Sequence, residues 1–313
     1  MSKPLVIASS LIALQNAELA GHKSRPEVIA LGEMPWLVPP HADALFTYQI
    51  QWRQAPAEAP EGWPFNLRWV QIASAGTDTF PRWLFDVPLV TRGRGVQAPA
   101  IGEFVIGAIY AHEKRFWDGP VRSPEAWKHK MLGGVAGKTV GIAGMGAIGE
   151  EVARTARAIG MQVKALTRSS SIAMEGVEAV ASLPELFAQV DHLVLALPLT
   201  PETRGCVDAA CLAQARPGLH LINVARGALI DDVALVAALD AGRLSAATLD
   251  VTAPEPLPDG HPLYTHPLVR LTPHVSGMAE NTEQRLAERL AHNLDCYMAG
   301  EPVPGVVERG RGY

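Results

Sequence analysis

Residues 139–166 read TVGIAGMGAIGEEVARTARAIGMQVKAL, and their reading decides the fold of the whole chain. An apolar run at 140–143 leads into Gly144, Gly146 and Gly149, spaced G-x-G-x-x-G. Residues 147–159 then carry Ile148, Val152, Ala156 and Ile159 at helical spacing, and a second apolar run follows at 161–166. Strand, glycine turn, helix and strand form the context in which this spacing signals dinucleotide binding. Each glycine has a physical task. Gly144 permits a tight turn, and Gly146 lets backbone N–H groups approach a pyrophosphate with no Cβ in the way. Gly149 lets the helix pack closely on the strand, and the helix N-terminus adds partial positive charge beside the phosphates.

The chain has 313 residues, enough for two domains, and 48% of them are hydrophobic, so intrinsic disorder is excluded. A net charge of −5 with the signs mixed and no basic stripe argues against a nucleic-acid or membrane-surface partner. Cys206, Cys211 and Cys296 show no metal-ligand spacing, and an odd count fits no closed disulfide framework. They read as thiols in a reducing compartment. Near the start, Lys3 precedes apolar residues, but Ser9, Ser10, Gln15 and Asn16 interrupt the run. No stretch has the length of a membrane span. The expectation is a soluble, cytoplasmic protein.

Before the glycine stretch, short strands are predicted at 5–8, 28–31, 44–47, 68–73 and 87–90, separated by loops such as APAEAPEGWP at 55–64. They suggest a small α/β unit with no phosphate-type glycine turn of its own. Residues 101–116 read as a long apolar helix bridging two domains, and 117–138 as loop. After the glycine stretch, Ser182 and Glu185 have capping-box spacing. Strands are predicted at 192–197, 219–224, 246–249 and 268–272, and a helix at 207–214. Asp231 or Asp232 caps a further helix through Leu239, which Gly242 closes. A last helix over 278–298 could carry the chain back to the first domain. This alternation implies a doubly wound parallel sheet of Rossmann type.

In such a sheet, ligands bind beyond the carboxyl ends of the strands. Reactive side chains fall there repeatedly: Arg226 in NVARGALID, Asp250 at a strand end, Glu255 in TAPEPLP and His274 in LTPHVSG. A cation, carboxylates and an imidazole thus share one edge with the glycine turn. Blander readings are a turn-fixing Arg226 and an exposed loop Glu255. The other nine histidines (His22, His41, His112, His129, His192, His220, His261, His266, His292) are expected to be structural or solvated.

Taken together, the glycine turn, PLTPETRG (198–205), NVARGALID (223–231), LDVTAPEPLP (249–258) and TPHVSG (272–277) resemble the D-isomer-specific 2-hydroxyacid dehydrogenase family. The match is colinear from about Ser74 to the His274 motif; the first 70 residues match only in style. The resemblance implies a Rossmann-type nucleotide domain at 99–280 and a smaller flavodoxin-like substrate domain formed by 1–98 with 281–313. It also implies a homodimer. It assigns catalysis to Arg226, Glu255 and His274. Hydride transfer to C2 of a 2-oxo acid would be completed by a proton from His274, with Glu255 orienting the imidazole and favouring its charged form, and Arg226 holding the substrate carboxylate. Backbone N–H groups of Ala75, Gly76 and Thr77 would share that carboxylate. Cofactor contacts would come from Gly144, Gly146, Ala147, Ile148, Gly149, Arg168, Ser169, Leu197, Pro198, Val224, Ala225, Asp250 and Gly277. Asp250 would meet the nicotinamide carboxamide, although a capping or structural role competes.

Cofactor choice has its own argument. A NAD enzyme usually carries Asp or Glu about 20 residues after the glycine turn, for the ribose 2′-hydroxyl. Here the second strand runs into ALTRSSS, with no carboxylate until Glu175. Arg168, with Ser169 and Ser170, suits a 2′-phosphate, so NADPH is preferred and NADH is a second cofactor. Relatives with an Arg-Ser turn here are often glyoxylate or hydroxypyruvate reductases, which makes those the first substrates to expect. Tyr48, after Phe46, would face substrate. Trp127 either reaches a substrate pocket, even a neighbouring subunit's, or packs ordinarily. The absence of an extension beyond Tyr313 argues against a long phosphoglycerate dehydrogenase. Competing readings are a non-enzymatic nucleotide-sensing corepressor on the same fold and a formate- or phosphite-oxidising relative.

Overall fold

A computed structural model describes residues 3–168 and 172–308 of the chain. They form two compact units, Met1–Val96 with Ala279–Tyr313, and Gln97–Met278. The first unit holds β1 (Val6–Ser9), α1 (Ala13–Ala20), β2 (Glu27–Ala30), β3 (Ala44–Thr47), β4 (Trp69–Ile72) and β5 (Leu89–Arg92). All five strands are parallel, in the order β2-β1-β3-β4-β5, which is the flavodoxin-like order. Successive side chains of a strand face opposite sides, and the core divides accordingly. Val6, Ala8, Leu45, Val70 and Ile72 pack under Trp52, Trp83 and Leu84 of one-turn segments, whereas Ile7, Phe46 and Trp69 face helices.

The second unit opens with α2 (Ala98–Glu113). It continues through β6 (Thr139–Ala143), α3 (Ala147–Ala158), β7 (Gln162–Leu166), β8 (Val177–Ala179), α4 (Leu183–Gln189), β9 (His192–Leu195) and α5 (Ala209–Ala213). It ends with β10 (Leu219–Asn223), α6 (Asp232–Asp240), β11 (Leu244–Leu249) and β12 (Val269–Leu271). The seven parallel strands lie in the order β12-β11-β10-β9-β6-β7-β8, so β6 and β9 flank the point where the winding reverses. Helices cover both faces. Val140, Ile142, Val194 and Ile222 pack with α2 and α3, and Leu193, Leu195, Leu219 and Leu221 with α4, α5 and α6. The chain then returns to the first unit as α7 (Thr282–Ala299), whose Leu286, Leu290 and Leu294 pack with Leu11 and Leu19.

Local sequence explains the starts of α4, α5 and α6, each capped by a side chain. Ser182 Oγ accepts from Glu185 N–H at 3.3 Å, and Glu185 Oε2 accepts from Ala181 N–H at 3.2 Å, one residue before the reciprocal bond of a regular capping box. Asp231 rather than Asp232 caps α6, accepting from Val233 and Ala234 N–H. Some bounds differ from the sequence expectation. The bridge helix occupies Ala98–Glu113, and Phe116–Asp118 is a separate turn; the helix expected over 207–214 shortens to Ala209–Ala213, capped by Asp208. α1 and β8 had no expected counterpart. The 114–138 connection contains only two one-turn segments and leaves Phe116, Trp117, Trp127 and Met131 exposed, so Trp127 (75% exposed) is not packed in a core. Among the described residues no helix is long and apolar enough to cross a membrane.

Candidate active site

β6 ends at Ala143 and the chain turns at Gly144, whose φ of +106° is costly for any residue with a Cβ. A Cβ there would also stand 2.6 Å from Ala196 O. Gly149, in the first turn of α3, would bring a Cβ to 2.1 Å from Gly144 O, so the helix approaches the turn only as glycine. Gly146, the N-cap of α3, is the opposite case: nothing lies within 4 Å of where its Cβ would be. The turn therefore opens a space at Gly146 in front of the first N–H groups of α3, contributed by Ala147, Ile148 and Gly149. That is the donor set and the clearance a pyrophosphate requires. Leu197 and Pro198 follow β9, Val224 and Ala225 follow β10, and Gly277 follows β12, all beyond carboxyl ends. Arg168 follows β7, and no carboxylate precedes it after the strand; Ser169 and Ser170 lie outside the described residues. The residues present fit a dinucleotide, with a cation where a ribose 2′-substituent would be read.

The reactive groups follow β10, β11 and β12, three adjacent strands. Arg226 has extended backbone (φ −147°) and its position is set by Asn223, which is fully buried. Asn223 Nδ2 donates to Arg226 O at 2.9 Å, and Asn223 Oδ1 accepts from Ala225 N–H at 3.1 Å. Glu255 sits in the loop after β11, where Oε1 accepts from Thr252 N–H at 3.2 Å. Its other oxygen, Oε2, stands 3.0 Å from His274 Nδ1. His274 is half exposed and adopts φ +55°, a strained conformation for a residue with a Cβ.

Asp250 holds that strain. Its side chain is buried, and Oδ1 accepts from Thr272 Oγ1 at 2.6 Å and from Val275 N–H at 2.9 Å. Oδ2 accepts from Ser276 N–H at 2.9 Å, and the backbone oxygen accepts from His274 N–H at 2.8 Å. Asp250 thus shapes the loop that presents His274. The pair can do general acid–base chemistry. Glu255 fixes the ring through Nδ1, and Nε2 has no partner among the described residues and is available to a substrate.

In the first unit, Ala75, Gly76 and Thr77 follow β4, with Thr77 buried. Tyr48 follows β3, but its hydroxyl donates to Glu283 Oε2 at 2.9 Å, and the same oxygen accepts from Gln15 Nε2 at 2.5 Å. Burial, reinforced by the Glu283 carboxylate, raises the Tyr48 pKa above the ordinary phenol range. The hydroxyl is therefore committed within its own unit. The anchoring of the loop gives Asp250 the structural role that competed in the sequence reading, whereas a cluster of His112, His192 and His220 beside Glu113 escaped that reading.

The profile of the D-isomer specific 2-hydroxyacid dehydrogenase, NAD binding domain, matches residues 108–276. D-3-phosphoglycerate dehydrogenase of Mycobacterium tuberculosis is 38% identical over 191 residues, covering 59% of this chain; the chain spans 36% of the length of that relative. Glyoxylate/hydroxypyruvate reductase A of Serratia proteamaculans is 33% identical over 231 residues, 72% of this chain and 73% of that protein. Among solved structures, a D-isomer specific 2-hydroxyacid dehydrogenase from Xanthobacter autotrophicus in complex with NADPH and MES superposes with a TM-score of 0.83 at 29% identity, covering 100% of both chains.

Proposed function

This chain belongs to the D-isomer-specific 2-hydroxyacid dehydrogenase family, and from that premise we propose that it reduces a small 2-oxo acid to the D-2-hydroxy acid with NADPH. The observation that carries the reading is the Glu255–His274 pair at 3.0 Å, on the same sheet edge as Arg226 and the open glycine turn. The names of the Serratia relative and of the NADPH-bound Xanthobacter structure support the substrate class and the cofactor.

The turn at Gly144 and Gly146 and the first residues of α3 hold the pyrophosphate. Leu197, Pro198, Val224, Ala225 and Gly277 line the remainder, and Arg168 takes the 2′-phosphate. Bound there, NADPH supplies the hydride that reduces the C2 carbonyl. Arg226 engages the substrate carboxylate with its planar fork and polarises the carbonyl, which a lysine could do only as a point charge. As C2 becomes tetrahedral its oxygen gains negative charge, and His274 delivers a proton to it from Nε2. Glu255 keeps Nδ1 engaged, so the ring neither rotates nor changes its outward nitrogen. In the reverse direction His274 accepts the hydroxyl proton. The N–H groups of Ala75–Thr77 bind the carboxylate. Glyoxylate and hydroxypyruvate are the first substrates to test. The exposed apolar side chains of Phe116, Trp117, Trp127 and Met131 support a homodimer, because a monomer gains nothing by leaving them in water.

The test is NADPH consumption with a panel of 2-oxo acids, repeated with NADH. Turnover of glyoxylate or hydroxypyruvate with NADPH preferred is the expected result. A protein that binds NADPH but turns over no 2-oxo acid would overturn the proposal.

A further inference from the structure

The loop proposed to bind the substrate carboxylate is held by an arginine that lies outside the motifs quoted above. Arg92 is the last residue of β5, in register with Ile72 at the end of β4. Its Nη1 donates to Ala75 O at 2.7 Å. A trans peptide directs its C=O and N–H to opposite sides. Turning the Ala75 carbonyl toward Arg92 therefore turns the Gly76 N–H away from it. The next peptide is pinned similarly, since Ser74 Oγ donates to Gly76 O at 3.1 Å and so sets the direction of the Thr77 N–H. Among the described residues the Gly76 N–H has no partner, whereas both carbonyls are anchored.

The backbone of Arg92 is itself fixed. Arg92 N–H donates to Gly305 O at 2.9 Å, and Gly93 N–H donates to Ser74 O at 3.1 Å. A Cβ on Gly93 would stand 2.0 Å from Ala73 O, so the ends of β4 and β5 approach as closely as backbone allows. An exposed arginine searching for a partner would lose conformational freedom in making one bond. Arg92 instead starts from a strand end already locked to the loop it contacts.

We propose that Arg92 is a positioning residue: its bond to Ala75 O, with that of Ser74 to Gly76 O fixing the next peptide, pre-orients the Gly76 N–H to receive the substrate carboxylate. The inference rests on the carboxylate-binding role given to this loop above. A charge-assisted hydrogen bond to a backbone carbonyl is among the stronger single contacts, and a misplacement of about 1 Å in a binding group costs on the order of 10²-fold.

The test combines steady-state kinetics with amide hydrogen exchange on the full chain. Arg92→Gln is expected to raise KM for the 2-oxo acid by about 10- to 50-fold while leaving kcat and the KM for NADPH within about threefold of wild type. Arg92→Lys, which keeps a donor and a charge, falls between. Ser74→Ala removes the second anchor without touching charge and raises the same KM by about threefold. Exchange at Gly93, whose N–H donates to Ser74 O, quickens in Arg92→Gln and that at Ile72 does not. If wild type turns over 2-oxo acids and Arg92→Gln keeps its KM, the inference is overturned. It is also overturned if all kinetic constants decline together with the melting temperature. If wild type turns over none, the carboxylate role of the loop is refuted, and unchanged exchange at Gly93 refutes the anchoring independently.

Discussion

Replacing Asp250 with Asn tests whether one buried carboxylate holds the histidine loop. The substitution preserves volume and shape, so packing is not the variable. An Asn Oδ1 can keep the bonds from Thr272 Oγ1 and Val275 N–H, but Nδ2 then faces Ser276 N–H, donor against donor, where Oδ2 now accepts at 2.9 Å. Flipping the amide only moves the conflict to Val275. One charge-assisted bond is lost, worth about 1.5–3 kcal/mol, and one buried N–H is left unsatisfied at about 1–3 kcal/mol. A neutral amide is easier to bury than a carboxylate, which returns on the order of 1 kcal/mol. The net destabilisation is about 1.5–5 kcal/mol, or a melting temperature lower by roughly 3–20 °C at about 2–4 °C per kcal/mol.

The functional consequence follows from φ +55° at His274. That conformation persists because the Asp250 carboxylate and backbone oxygen hold both sides of it; with the carboxylate gone, the strain of about 1–3 kcal/mol relaxes and the imidazole moves. A shift of about 1 Å lowers kcat on the order of 10²-fold. Urea unfolding and 2-oxo acid turnover of the Asn variant measure both. A variant within about 0.5 kcal/mol of wild type, or with wild-type kcat, refutes the reasoning.

His274→Gln is expected to lower kcat by about 10²- to 10⁴-fold with NADPH affinity unchanged, and unchanged turnover removes the histidine from the mechanism. Arg168→Ala should raise the KM for NADPH by about 10-fold or more and leave that for NADH nearly as it was; an equal effect on both means the guanidinium does not read the 2′-phosphate. Acid lability should arise at the histidine cluster. Burial first, and then the neighbouring His192, lowers the His112 pKa to about 4, and burial lowers that of His220 well below the ordinary value. The unfolded chain thus takes up protons first, so this stability is complete above about pH 6.5 and is lost as pH falls toward 4. His112→Phe should flatten the decline by about 1–2 kcal/mol after allowance for the half-exposed ring; an unchanged pH profile of unfolding excludes the cluster as its source.

The nucleotide unit was legible because its signals are local. Apolar runs, three glycines and cap residues each act within a few positions, and strand ends then locate Arg226, Glu255 and His274. α1 was not legible, since its polar residues find partners outside the helix. Gln15 is buried yet bonds Glu283 on α7, and Asn16 Nδ2 donates to Leu11 O while its Oδ1 accepts from Ser9 Oγ. Read along the sequence, those residues only interrupt an apolar run. β8 is a three-residue edge strand with no buried residue, so no apolar run marks it. Arg92 gave no signal because Ala75 O, to which its guanidinium donates, is a backbone carbonyl, which any sequence supplies. Asp250 gave a signal that fitted either a cofactor contact or a structural role, and only the bonds of its oxygens to the chain itself reveal the second.

The same geometry explains why identical side chains have opposite fates on one sheet. His192 opens β9 and His220 is the second residue of β10, so both lie at amino ends, whereas His274 follows a carboxyl end. At the amino edge the contacts run from Thr248 Oγ1 to His220 Nε2 at 2.9 Å, from His220 Nδ1 to His192 Nδ1 at 3.2 Å, and from His192 Nε2 to Glu113 Oε1 at 3.3 Å. The last is an electrostatic contact without good hydrogen-bond alignment. Glu113 is held as a carboxylate: burial opposes its charge, but His192 and Lys138 outweigh burial and lower its pKa to about 2. A carboxylate favours an N–H on His192 Nε2, which leaves Nδ1 to accept from His220 Nδ1–H, and His220 Nε2 to accept from the Thr248 hydroxyl. His220 then has one nitrogen donating and one accepting, while His192 accepts at Nδ1 and turns Nε2 toward Glu113, so neither ring offers a lone pair to a ligand. His274 spends only Nδ1, on Glu255. An imidazole with one nitrogen fixed and the other open, beyond a carboxyl end, can exchange a proton with substrate. One with both nitrogens engaged in the core can only stabilise the fold.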